Sequence, residues 1–370
     1  MKKLFLFAAF AFSAMIVIFP ADAMESAQNA LILCQNTLIP SLFPFLVCSN
    51  LLLSLGGDAA ASRLTQNVMM PLFKIRGAGS IALTLGLLSG YPCGAMTTCN
   101  LYRSGAISRS DAHRLLSSAN NSGPLFIISA VGLGVYQNTK IGVLLYISHL
   151  LAALSVGFIS RFFSSKENGH SQFITPSKKS PSKALPDSVL SILNLCGYVI
   201  FFAVLYKMLQ KCGVIAILES FFSLSGMPSS VCALLSGGIF EITTALKSAG
   251  CTHLPAVASI ISMGGISVLF QTMSFTKKAN LSIKPYIIGK ILAGGFSAFF
   301  MALLLNFFPV EISTLSPLTK AKLMEYPPYF VAFATSVFCF IYYFVILSLP
   351  APQDGKSACP EKQSFVRTRS

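Results

Sequence analysis

The stretch Gly86-Leu87-Leu88-Ser89-Gly90-Tyr91-Pro92-Cys93-Gly94-Ala95 breaks the middle of an apolar run, 79–101, and how the chain passes through that break decides the fold. Gly and Pro unwind a helix at such a point. Unwound backbone persists inside a bilayer only where protein or a water-filled cavity satisfies its N–H and C=O groups. If the run crossed a membrane, Arg103, Arg109 and Arg114 would face outward. If it enters and turns back as a re-entrant hairpin, they stay inside, as the excess of Lys and Arg in cytoplasmic loops requires.

The rest of the 370 residues places this run in a membrane. They are 54% hydrophobic and 11% charged, whereas a soluble domain carries about 25% charged residues. Apolar runs of about 20 residues, the helical length that spans a hydrocarbon core, recur at 3–20, 31–56, 139–160, 188–207, 254–273, 285–307 and 328–349. An alternating barrel pattern is absent, so the spans are read as helices. The net charge of +15 lies in short segments between these runs, which fits positive-inside topology and gives no reason to expect nucleic acid. The ten cysteines are scattered singly, and most lie in apolar runs. They predict no disulfide framework and no metal site. Met1-Lys2-Lys3, the apolar stretch to Pro20 and Ala21-Asp22-Ala23 fit a first transmembrane helix and also a signal peptide with a small-x-small cleavage site.

With Met1 inside, 21–30 falls outside, Arg63, Lys74 and Arg76 return inside, 79–101 is a hairpin and 123–137 a span. The Ser/Lys/Pro-rich linker 164–186 is then cytoplasmic, and 229–247, broken by Ser236-Gly237-Gly238, is a second hairpin entered from outside. Lys207, Lys211, Lys320 and Lys322 do not obey the rule. Each half runs helix, hairpin, broken helix, helix, and the halves start on opposite sides. The expected fold class is therefore all-α and polytopic, with about eight transmembrane helices, two re-entrant hairpins and two inverted repeats, an architecture shared by many secondary transporters. The divisions are 1–24 (first helix or signal peptide), 25–163 (first repeat), 164–186 (linker), 187–308 (second repeat), 309–349 (loop and last helix) and 350–370 (cytoplasmic tail).

Carboxylates inside membrane segments are costly and commonly face a cavity, a partner or a proton path. Glu241 is the clearest such residue. It reads either as an interfacial group at a hairpin end or as a solute acceptor, cation ligand or protonation site, with Thr243 beside it. Ser89, Gly90, Tyr91 and Pro92 offer backbone groups and a phenol at the first hairpin tip. Asn120, Asn121 and Ser122 precede Pro124 at the next break, and Gly264, Gly265, Ser267 and Gln271 form its counterpart in the second half. Breaks at matching places in two repeats point to a central polar site. The plainer reading is helix-packing glycine. His149, alone in an apolar helix, reads as hydrogen-bonded to a neighbouring helix. There is no Walker loop, nucleophile elbow, HExxH or dinucleotide fingerprint, so no cofactor and no enzymatic role are expected.

The stretches Leu38-Ile39-Pro40-Ser41-Leu42-Phe43-Pro44-Phe45, 86–95, Asn120-Asn121-Ser122-Gly123-Pro124-Leu125-Phe126, Gly238-Ile239-Phe240-Glu241-Ile242-Thr243 and Gly264-Gly265-Ile266-Ser267-Val268 resemble, in collinear order over 25–308, the YlbJ-type sporulation integral membrane proteins of the nucleoside-recognition (Gate) domain group. The resemblance implies a multi-pass protein of the bacterial cytoplasmic membrane, needed for sporulation and for cortex formation, with a fold akin to concentrative nucleoside transporters. Its partners would be membrane lipid and a small polar solute, with or without a coupling cation. A homo-oligomer is compatible with it. A non-transporting scaffold of the spore-envelope assembly is the alternative function.

Overall fold

A computed structural model describes residues 2–55, 57–162, 180–249 and 253–310. The expected span 328–349, the tail, Lys320, Lys322 and most of the linker lie outside them. Every regular element among the described residues is helical. The apolar runs leave the backbone no water to bond, and helices pair N–H and C=O within one segment.

Helix α1 (Lys2–Ile18) is followed by α2 (Pro20–Leu33), with Pro20 at the first position of the new helix. The two are bent by 99°. The 21–30 segment, expected as an outside connection, is therefore helical, and the division drawn at residue 24 falls inside α2. A π-helical turn (Cys34–Leu38) leads into α3 (Ile39–Ser54), so the expected helix 31–56 is the end of a longer, interrupted one. Asp22 and Glu25 of α2 lie against Lys207 and Lys211 of a later helix, with Asp22 Oδ1 2.9 Å from Lys211 Nζ. Two of the cations that break the charge rule are thus paired with the acids on their own side.

Helix α4 (Gly57–Phe73) was not anticipated. The first hairpin follows as α5 (Gly79–Leu88) and α6 (Cys93–Arg103), then α7 (Arg109–Ser118). Ser108 and Asp111 form a reciprocal capping box that starts α7. Arg76, just before α5, lies 3.8 Å from Asp111 in the first turn of α7, and Arg114 donates to the Lys74 carbonyl. The chain therefore returns to the end from which α5 set out. After the break at 119–123 comes a second π-helical segment (Leu125–Leu133). Nine residues rise too little to cross a bilayer, so 123–137 is not the full span expected. Helix α8 (Thr139–Ser160), capped by Asn138, closes the first half.

The second half runs α9 (Ala184–Lys211), α10 (Val214–Ser223), a hairpin of α11 (Ser229–Gly238) and α12 (Ile242–Ala249), then α13 (Leu254–Met263), α14 (Gly265–Lys278) and α15 (Lys284–Phe307). Helix α10 was also unanticipated. Its position after the long helix and before the hairpin matches that of α4. His253 caps α13 by accepting from Ala256 N. Burial holds its pKa below the ordinary imidazole value, which keeps the ring nitrogen free to accept. The expected helix 254–273 is interrupted at Gly264, whose φ is +91°. Four helical stretches among the described residues, α8, α9, α13 and α14 taken together, and α15, are long and apolar enough to span a membrane, or five if α1 and α2 count as one bent span. The halves interleave: α15 packs on α7 and α8, and α14 on α6.

Candidate functional site

The hairpin tips meet the breaks of their own halves through backbone contacts. At Gly90, φ +89°, an added Cβ would stand 2.6 Å from Gly123 N, and at Gly265, φ +63°, 2.8 Å from Gly238 O. Only glycine allows both the left-handed backbone and this approach. In the second half Ile266 N and Ser267 N donate to Ile239 O and Phe240 O at 2.7 and 3.2 Å, so α14 begins against the unwound strand that carries Glu241.

Between the two tips lies a cavity of about 50 Å³. Of the expected site residues, Ser89, Gly90, Tyr91, Glu241, Thr243, Ser267 and Gln271 line it. Leu38 and Leu42, packed in one cluster with Leu195 and Val199 of α9, supply apolar wall. Leu125 and Phe126 complete it. Leu38 ends one π-helical segment and Leu125 opens the other, and such segments recur at functional sites. Glu241 is 5% exposed. Its Oε1 accepts from Thr243 N at 3.1 Å and its Oε2 from Thr243 Oγ1 at 2.5 Å, fixing the carboxylate at the N-terminal turn of α12.

Pro92, Asn120, Asn121, Ser122, Gly264 and Gly265 do not line the cavity. The three polar residues of the first break face protein instead. Asn120 donates to Thr272 Oγ1 at 2.9 Å and accepts from Ala95 N at 3.3 Å, tying α14 to α6. Asn121 donates to Ser118 O at 2.6 Å. Ser122 N donates to His149 Nε2 at 3.1 Å, while His149 Nδ1 is 2.6 Å from Ser262 Oγ. His149 thus bridges α8, the break and α13 as its isolation in an apolar helix suggested.

Lys290 was missed. It lies in α15, is 2% exposed, and places Nζ 3.5 Å from Asn121 Oδ1 and 5.9 Å from the Tyr286 ring centroid. No ion pair among the described residues involves it. The rule that singles out Glu241, an ionisable residue inside an apolar run, marks Lys290 equally.

Apolar helices of spanning length, unwound backbone satisfied inside the protein and buried charges at the centre define an α-helical integral membrane protein with an internal polar site. Over 325 residues, 79% of this chain and 80% of the relative, the sequence is 30% identical to the sporulation integral membrane protein YlbJ of Bacillus subtilis (strain 168). The chain belongs to that family of sporulation integral membrane proteins. No protein-family profile matches it, and no solved structure does.

Proposed function

We propose that this protein serves sporulation as a transporter-like carrier of a small polar solute, which passes through the cavity between the hairpin tips. The observation that carries the reading is the meeting of Ser89–Tyr91, Glu241, Thr243, Ser267 and Gln271 around one cavity, with a carboxylate held at a helix start inside an apolar protein. The element order, with Arg76, Asp111 and Arg114 clustered at one end and Asp22, Lys207 and Lys211 at another, supports re-entrant hairpins and inverted halves in the bacterial cytoplasmic membrane. Alternating access would then work by movement of one half against the other. A cavity of about 50 Å³ has room for a few waters or a small ion, whereas pockets for larger ligands run to about 300 Å³ or more. A nucleoside would need a more open conformation.

The small volume also favours the second reading, a scaffold of the spore envelope that never opens. In an endospore former lacking its own copy, Glu241→Gln should leave protein abundance unchanged and block sporulation, because the amide keeps size but not charge. A scaffold tolerates Glu241→Leu, since an unneeded central carboxylate costs about 2.5 to 3.5 kcal/mol on insertion scales. Full sporulation in both variants at normal protein levels would rule out the solute site.

A further inference from the structure

The tripeptide Ala21-Asp22-Ala23 fits a leader-peptidase site by its residue types, and the fold puts it to another use. It lies in the first turn of α2, behind Pro20, and Ala23 N donates to Phe19 O at 3.0 Å. Ala23 is 7% exposed and packs in one cluster with Val204 and Met208 of α9, to which Phe12, Met15 and Phe19 add from α1 and the bend. Asp22, on the same turn, reaches Lys207 and Lys211. Proteases cleave chain that is locally open, and this turn opens only if α2 leaves α9.

Helix α1 has the two faces of a permanent membrane helix. One meets α9: the Phe12 ring stands edge-on to Phe201 with centroids 5.4 Å apart, and the Cys212 thiol donates to the Met15 sulfur at 3.0 Å. Phe201 leads on to Phe202 at 5.2 Å, and Phe202 to Phe270 of α14 at 5.5 Å, so aromatic contact runs from α1 through α9 to α14. The other face carries Phe7, Phe10 and Val17, which are 72%, 70% and 78% exposed, an apolar surface that suits lipid. A leader that is cut away gains nothing from a face fitted to α9.

We infer that residues 2–23 stay in the working protein, and that Ala21-Asp22-Ala23 is the docking turn through which α1 and α2 hold α9. A cut after Ala23 would strip α9 of Phe12 and Met15, uncover Met208, now fully buried, and take the carboxylate from Lys211. The inference is independent of the solute reading and holds for a carrier and for a scaffold.

The test reads the full chain, tagged at its C-terminus and purified in detergent from an endospore former that makes it. Its intact mass should include residues 2–23, and a mature chain that begins at Met24 overturns the inference. A second measurement reads the docking itself. In a background whose only native cysteine is Cys212, Met15→Cys should join Cys212 on mild oxidation in membranes, with loss of both maleimide-reactive thiols, whereas Phe7→Cys on the lipid face should keep them. Failure of Met15→Cys to join, or equal joining by Phe7→Cys, overturns the docking. Should the cysteine variants not accumulate, the intact mass of the unaltered chain decides.

Discussion

Lys290 is held by two weak forces. Its ammonium lies by Asn121 Oδ1, and Asn121 in turn binds Ser118 O at the C-terminus of α7. The negative end of a helix contributes about 0.3–1 kcal/mol to such a cation, up to about 2 kcal/mol when partly buried. Burying an ammonium costs several kcal/mol, so the cost exceeds the gain. Lys290→Met, similar in length and apolar, is therefore expected to leave thermal stability unchanged or raise it. The chain has no Trp, but Cys34, Cys93, Cys99, Cys196 and Cys232 are buried and free, so dye capture on unfolding reports the transition. A Tm lowered by more than about 5 °C would show that the ammonium supports the fold. Sporulation lost at unchanged stability would place Lys290 in the working site.

At the scale of elements, the two hairpins depend on glycines that do different work from those within helices. Gly90→Ala and Gly265→Ala each force a side chain into the left-handed region and into backbone 2.6 and 2.8 Å away. Each should destabilise by more than about 1 kcal/mol. Gly197 and Gly295 lie in α9 and α15 with open space around their Cβ positions. Alanine there should be neutral or stabilise by up to about 1 kcal/mol, from helix propensity. Equal losses at all four positions in one thermal-shift series would show that the tips are not special. The sequence shows why the tips break, since Ser89-Gly90-Tyr91-Pro92 cannot continue a helix. It gave no sign that Asn120, Asn121 and Ser122 would turn away from the cavity, because their partners, Thr272, Lys290 and His149, are 27 to 169 residues distant.

For the whole molecule, the ion pairs order the two ends. Arg76, Asp111 and Arg114 gather where α5 begins, and Asp22, Glu25, Lys207 and Lys211 gather at the far end of α9. The pairs of Asp22 and Glu25 lie toward solvent and add little stability, whereas Asp111 and Arg114 are buried; the value of both clusters here is topological. In a cysteine-free background, Arg109→Cys is expected to react with a membrane-impermeant maleimide only from the cytoplasmic side and Glu25→Cys only from the opposite side. Reaction of both from one side would remove the inverted relation of the halves.

Composition and the length of apolar runs determined by themselves that the chain is helical and lives in a membrane, because only a helix bonds its own backbone where water is absent. The spacing of Gly, Pro and basic residues likewise determined where helices break and that 79–101 turns back, both being local in the chain. What only the tertiary structure decided is which polar groups share one cavity. Glu241 and Gln271 meet Ser89 there, while Asn120, Asn121 and Ser122 brace neighbouring helices. Buried polar groups are held by partners, and for Asn120, Ser122 and His149 those partners stand on other helices, at distances along the chain that no local pattern encodes.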